Sequence, residues 1–426
     1  MSVVSPSVAR FTGFAPGEIS ALVNRRTVEE HASEAAFLWM HRQRAVRAPH
    51  FKLKQLHKLD ARVVAHLQGL TVPGAPDGSL ANQALGRADA GAVFVASYAA
   101  FFAADAKRMR NVLKVALTDP ILTDALIHAI AWLSPDLTIS ALERLQASPV
   151  PAHRLIALSV AAMRRSSVAS DELVLGVEAA DPVLRARALR ALGELGRHEL
   201  RPLAQTRLND PDDHCRFWAA RSLAVLGDAD GACATWAIGL RHAELRMEAT
   251  SVAMRCGDPD WARNAIRVLA KEGRSLRLTA YAAGEFGDPV VMPWLLDRLT
   301  NRACARVAGE AIASITGADL EYLDLDTDPP DDAEAHDEAH PDDAELRWPD
   351  AATIRAWWEQ RKDSLQAGVR HLCGQPVGGP TMISVLHDGY QRQRRGAAIE
   401  LARARTGVAL FPVEQRADQQ LRRLAE

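Results

Sequence analysis

From Thr27 onward the apolar positions of this chain recur at helical spacing, three and four residues apart. Val28, Ala32, Ala35, Ala36, Leu38 and Trp39 mark one face of a first helix. Ala48-Pro49 ends it, because a residue before proline avoids the helical region. Leu53, Leu56, Leu59, Val63 and Leu67 form the single buried stripe of a second helix. Pro73 to Gly78 reads as a loop. Residues 80–117 give two further helices, and the stretch AVFVASYAAFFAAD, apolar on nearly every side, is expected in the core. Residues 1–25, with Pro6, Gly13, Pro16 and Gly17, read as an extended lead-in.

From Asp119-Pro120 the helical pattern becomes self-similar. Arginines stand at 154, 185, 216, 246, 277 and 306, spaced 31, 31, 30, 31 and 29 apart. Three residues after each comes a small side chain: Ala157, Ala188, Ala219, Ala249, Ala280 and Gly309. A period near 30 marks a solenoid. Asp-Pro at 119–120, 181–182 and 210–211 supplies a helix start, with Asp as the cap and Pro in the first turn. Gly196, Gly227, Gly257, Gly287 and Gly317 close the first helices as left-handed caps. The second helices, LRPLAQTRL, GACATWAIGL, WARNAIRVL and VMPWLLDRL, close on Leu208, Leu240, Leu269 and Leu299. Small +3 residues let stacked helices approach closely, and stacking buries a core that no single repeat can make.

After the repeats, residues 321–348 break the pattern. The segment 321–345 holds 12 acids and no Lys or Arg, so a flexible acidic loop is expected. Past Pro349 the helical pattern returns in DAATIRAWWEQRKDSL, where Trp357 and Trp358 cannot both face a core. A turn-rich stretch, GVRHLCGQPVGG, precedes one long basic helix, MISVLHDGYQRQRRGAAIELARAR. Its Arg392, Arg394 and Arg395 read as a solvated face, or as a grip for an acidic partner or for the chain's own acidic loop.

Composition changes this picture in one respect. The chain is 48% apolar and 24% charged over 426 residues, which is ordinary for a folded protein. The net charge of -2 hides an asymmetry: without the acidic segment, 51 basic residues face 53 − 12 = 41 acidic ones, about +10. No secretory signal and no membrane span are expected, and the five cysteines lack paired spacing, which suits buried thiols in a reducing cytoplasm.

The 118–317 pattern resembles HEAT repeats, in particular their short lyase-like variety. The resemblance implies an all-α chain: a right-handed α-solenoid of about six helical hairpins, residues 118–320, between helical regions at 1–117 and 349–426. The arginine ladder (Arg154, Arg185, Arg216, Arg246, Arg277, Arg306) is read as structural, each rung bonding a neighbouring Asp or helix carbonyls; a ligand-binding basic row is its alternative.

No catalytic motif is present: no P-loop, GxGxxG, HExxH or GxSxG. His31, His41, His57 and His66 read as isolated surface or capping histidines, and His336 and His340 as residues of a solvated acidic loop. No cofactor, metal site or enzymatic activity is expected. The block SEAAFLWMHRQRAVRAPHFKLKQLHKLDARVVAHLQGL, with ITGADL, WWEQRK, GVRHLCGQP and YQRQRRGAAIELA, resembles an uncharacterised bacterial HEAT-repeat family often encoded near type VI secretion genes. That resemblance implies a cytoplasmic accessory protein whose partner is an effector, spike or adaptor component. Trp39, Arg42, Arg44, Arg47, His50, Trp357, Trp358, Arg392, Arg394 and Arg395 are the candidate contact residues, with the inner row of second helices. Two alternatives stand beside this scaffold reading: a nucleic-acid binder similar to HEAT-like alkylpurine glycosylases, and a lyase or hydroxylase acting on a protein-bound group.

Overall fold

The computed structural model describes residues 24–71, 89–273, 275–330 and 341–426. These form 21 α-helices with short 3-10 turns and two minimal strand pairs. Residues 1–23 of the expected lead-in, the expected Pro73–Gly78 loop, His336 and His340, and the middle of the acidic segment fall outside the described residues. The chain divides into two compact units, one of residues 1–43 and 58–145, the other of residues 44–57 and 146–426.

In the first unit, α1 (Arg25–Ala45), α2 (Leu53–Gly69), α3 (Ala90–Phe102), α4 (Ala106–Ala116), α5 (Pro120–Trp132) and α6 (Pro135–Gln146) supply the helices, α1, α2 and α6 running past its limits. The α2 stripe is buried along its length, and α3 is buried on nearly all sides. Trp39 stacks on Phe94 with centroids 4.5 Å apart, and Phe94 meets Trp132 edge-on. Arg42 lies beside them, fully buried and paired with Asp60 at 3.0 Å. His31 and His66 are not isolated: their Nδ1 atoms lie 3.0 Å apart.

The second unit is the stack of hairpins. First helices are α7 (Pro151–Arg164), α9 (Pro182–Glu194), α11 (Asp213–Val225), α13 (Arg246–Cys256), α15 (Leu276–Phe286) and α17 (Ala305–Thr316). They alternate with second helices α8 (Ser170–Val177), α10 (Arg201–Thr206), α12 (Ala229–Gly239), α14 (Pro259–Glu272) and α16 (Met292–Arg298). The +3 alanines are buried, and Ala249 sits so close to Gly239 that a side chain there would collide with it. Beyond the last hairpin, α18 (Ala351–Glu359) sets Ile354 and Trp358 into the same core as Leu295 and Ile312, closing an apolar end the stack would otherwise expose.

Two helix-boundary expectations are corrected. Asp210 does not cap α11; Asp212 does, accepting from the Cys215 N–H at 2.8 Å, because the Asp210 carboxylate is held by Arg185. Gly257 is extended at φ -70°, not left-handed, with the Trp261 ring packed over it.

The acidic segment is anchored at both flanks, contrary to a wholly flexible loop. Leu325 and Leu346 are buried, Asp343 pairs bidentately with Arg277 at 2.6 and 2.7 Å, and β1 (Asp326–Thr327) pairs antiparallel with β2 (Trp348–Pro349).

The basic C-terminal helix is two helices. α19 (Gly379–Asp388) stops at Gly389, and Tyr390 starts α20 (Gln391–Ala404) with a capping box to Gln393. Here α20 faces inward. Its Ala398 and Ile399, with Met382 and Leu386 of α19, share a core with Val225, Val252 and Cys256 of the first helices. Backbone contacts continue along the repeats. His371 of β3 (His371–Leu372, paired with β4, Gln375–Pro376) donates to Gly287 O at 2.7 Å, and Cys373 N–H to Ser314 O at 2.7 Å. Leu410 N–H donates to Glu194 O at 3.0 Å, and Arg423 to Arg164 O at 2.8 Å. With α21 (Ala417–Ala425), the C-terminal region forms a strap running from the last hairpins back to the first.

The strap makes Gly287 a demanding position. It has φ +84°, and a Cβ there would lie 2.3 Å from His371 O, whereas Gly273, at φ +63°, has open space around it. Gly273→Ala is expected to cost about 1 kcal/mol and Gly287→Ala about 3 kcal/mol, read by urea denaturation. Equal losses would mean that the strap contact does not constrain this turn.

Candidate interaction site

Three of the six ladder arginines turn back to the preceding repeat. Arg185 donates to Ala179 O at 2.7 Å and Ala180 O at 3.1 Å, Arg216 to Asp210 O, and Arg246 to Leu240 O at 3.3 Å. In each case the first acceptor lies six residues earlier, just past a second helix, where carbonyls lack intrahelical partners and the dipole end is negative. Arg277 and Arg306 reach the acidic segment's flanks: Arg277 holds Asp343, and Arg306 lies over the Trp348 ring at 4.9 Å. Burial and the hydrogen bonds from Arg185 act oppositely on Asp210; the hydrogen bonds win and hold its carboxyl below the ordinary range.

A second row of side chains lies half a helix further on: Arg190, Arg221, Ser251, Tyr281 and Glu310, spaced 31, 30, 30 and 29 apart. With their neighbours they form a charged seam beneath the strap. At one end, Glu194 accepts from Arg187 at 2.9 Å and Arg190 at 2.7 Å, and Arg221 donates to Glu248 at 2.6 Å. Arg190 and Arg221 both lie over the Trp218 ring, at 4.6 and 5.3 Å. Arg395 of α20 pairs with Glu414 beside them. At the other end, Ser251 and Arg255 hold Glu285, Arg370 and Arg255 hold Glu400, and one nitrogen of Arg392 bridges both oxygens of Glu310 at 2.9 Å.

Burial would push the Glu194 carboxyl up, but Arg187, Arg190, Arg165 and Arg221 outweigh it and hold it far below the carboxylate range. Glu310 goes the other way: burial, with Glu285 and Asp343 nearby, raises it despite Arg392. Burial and surrounding carboxylates also keep the Tyr281 hydroxyl protonated. The buried thiols of Cys256 and Cys373 are pushed up to about 12, which removes them as nucleophiles near neutral pH. Among the described residues no group of three or more His, Cys, Asp or Glu is placed to hold a metal ion, and no helix is long and apolar enough to cross a membrane.

The expected contact residues scatter. Trp39 and Arg42 are core residues of the first unit; Trp358 is a core residue of the second. Arg394 is fully buried, bonded to Leu386 O, Gln391 and Gln420, so the solvated-face reading of QRQRR is wrong for it. Trp357 is half-buried with Arg361 over its ring, and Arg44 is exposed. The structure does gather three of them: Arg392 donates to Arg47 O and Asp342 O, and His50 lies 3.8 Å from Glu345. The seam itself was missed. Its signal was a second polar period inside helices that otherwise alternate Ala and Leu.

Glu194→Gln leaves Arg187 and Arg190 without their buried counter-charge and is expected to cost about 3–5 kcal/mol at neutral pH. Because the folded-state value is depressed, the carboxylate's contribution is complete above its ordinary value of 4.5 and is lost as pH falls toward the folded one. The stability gap between wild type and Glu194→Gln should therefore narrow below about pH 4.5, measured by urea denaturation across a pH series. A gap that stays constant or widens in acid rules out the charge as the cause.

Residues 170–235 match the family model for HEAT repeats. No curated protein and no solved structure matches the chain. The matched stretch runs from α8 into α12 and contains the first part of the seam; the chain is an all-α protein built on a HEAT-like repeat solenoid.

Proposed function

We propose that this chain is a non-enzymatic scaffold for protein–protein interaction. HEAT repeats commonly serve that purpose. The observation that carries the reading is the mixed sign at the seam's exposed edge, where Arg190 and Arg395 stand beside Glu248 and Glu414, all partly exposed, while the rest of the seam is paired beneath the strap. A phosphate backbone needs a continuous positive track. An edge carrying both charges suits a protein surface of mixed sign, where complementarity gives specificity.

The whole-chain resemblance supplies a narrower form of the proposal: a cytoplasmic bacterial adaptor, chaperone or immunity-like protein whose partner belongs to type VI secretion. The cluster of Arg47, His50 and Arg392 around the acidic segment's flank is the second face we assign to such contacts, with Arg44 as its exposed neighbour.

Affinity purification from the native host is expected to recover a spike, effector or adaptor component; recovery of general chaperones alone counts against the narrower reading. Duplex DNA is expected to show no binding at low salt. Tight binding that weakens steeply with added salt would replace the scaffold reading with the nucleic-acid one.

A further inference from the structure

The first end of the seam carries more positive charge than its own acids balance. Five guanidinium groups, Arg165, Arg187, Arg190, Arg221 and Arg395, meet three carboxylates, Glu194, Glu248 and Glu414. The arginines respond differently: burial would lower Arg190, but Glu194, Glu414 and Glu248 outweigh it and raise it. Burial, with repulsion from Arg187, Arg190 and Arg221, brings Arg165 down to about 10. Burial likewise lowers Arg187.

The hydrogen-bonding capacity is also unspent. Arg221 is only 6% exposed, and while its Nε holds Glu248, its Nη1 is buried with no hydrogen-bond partner. The Nη1 of Arg187 is in the same state, one helix away. A buried donor without an acceptor costs about 1–3 kcal/mol, more when charged, and an acceptor from outside the chain would offset that cost at both atoms. Arg190 remains 41% exposed over the Trp218 ring, and Glu248, Glu414 and Arg395 are also partly exposed. This end of the seam is therefore open to solvent.

We propose that Arg190 and Arg221 over the Trp218 ring, with Arg187 beside them through Glu194, form a binding site for a single oxyanion group, a carboxylate or phosphate. The Nη1 atoms of Arg187 and Arg221 would supply charge-assisted donors to such a group. The rim carboxylates limit the site to one group, since a chain of phosphates would meet Glu248 and Glu414. The oxyanion can belong to a small metabolite or to an acidic side chain of a protein partner. In the second case the site anchors the scaffold contact proposed above; in the first it stands without it.

The test uses the full chain and three probes: inorganic phosphate, acetate, and a short blocked peptide bearing one glutamate, each against chloride at matched ionic strength. Calorimetry is expected to show one saturable site and a raised melting temperature. Arg190→Ala, at the exposed edge, should weaken binding about 10-fold, and Arg221→Lys, which keeps charge but loses the fork, by a similar factor. A peptide that binds more tightly than acetate assigns the group to a partner's side chain. Phosphate that binds more tightly than both assigns it to a small phosphorylated molecule. If no probe stabilises the chain beyond chloride, or if both variants bind like wild type, the site does not exist. Should Arg221→Lys fail to fold, Arg190→Ala alone decides. Anion binding that survives a failed partner search leaves this site standing and counts only against the narrower, type VI form of the scaffold reading.

Discussion

The stack depends on what happens at the end of each second helix. The last carbonyls there have no partner in their own helix, and burying them bare would cost about 1–3 kcal/mol each. The ladder arginine of the next repeat meets them from six residues ahead, with the long side chain lying along the joint. Because the same joint must be narrow, the residue three positions later has to be small. Arginine and alanine at a fixed offset are thus two halves of one requirement. Arg277 and Arg306 also meet neighbours from the acidic segment.

That segment and the strap show how far local pattern carries. Asp181 and Asp119 cap their helices as the sequence indicates, because a cap needs only the two or three following N–H groups. Asp210 looks the same locally and is not a cap, since its carboxylate is claimed by Arg185 from 25 residues away. The QRQRR run fails as a solvated face for a similar reason. Arg392 meets Glu310, 82 residues earlier, and Arg394 meets Gln420 across a turn that the amphipathic pattern does not disclose.

Fold class and repeat phase were therefore legible, being fixed by contacts between sequence neighbours and by a period. The candidate contact residues were less so. Large aromatic and basic side chains such as Trp39 and Arg42 draw attention in a sequence whether they bind a partner or fill a core; only Asp60 and Phe94, which lie far off in sequence, decide which. The seam's acids, above all Glu194, are single letters inside Ala- and Leu-rich helices. Their meaning comes from arginines on other helices.

The strap has a consequence for how this protein is made. Repeat stacks ordinarily fold by nearest-neighbour steps, so terminal repeats can fray or grow independently. Here Arg165 bonds to Leu410, 245 residues on, and Arg423 to Arg164, 259 residues back. The earliest hairpins of the second unit thus wait for residues synthesised about 250 positions later to satisfy them. During translation they must remain incomplete, with the arginine-rich seam uncovered. Loop closure on that scale slows folding and couples both ends of the stack into one cooperative event.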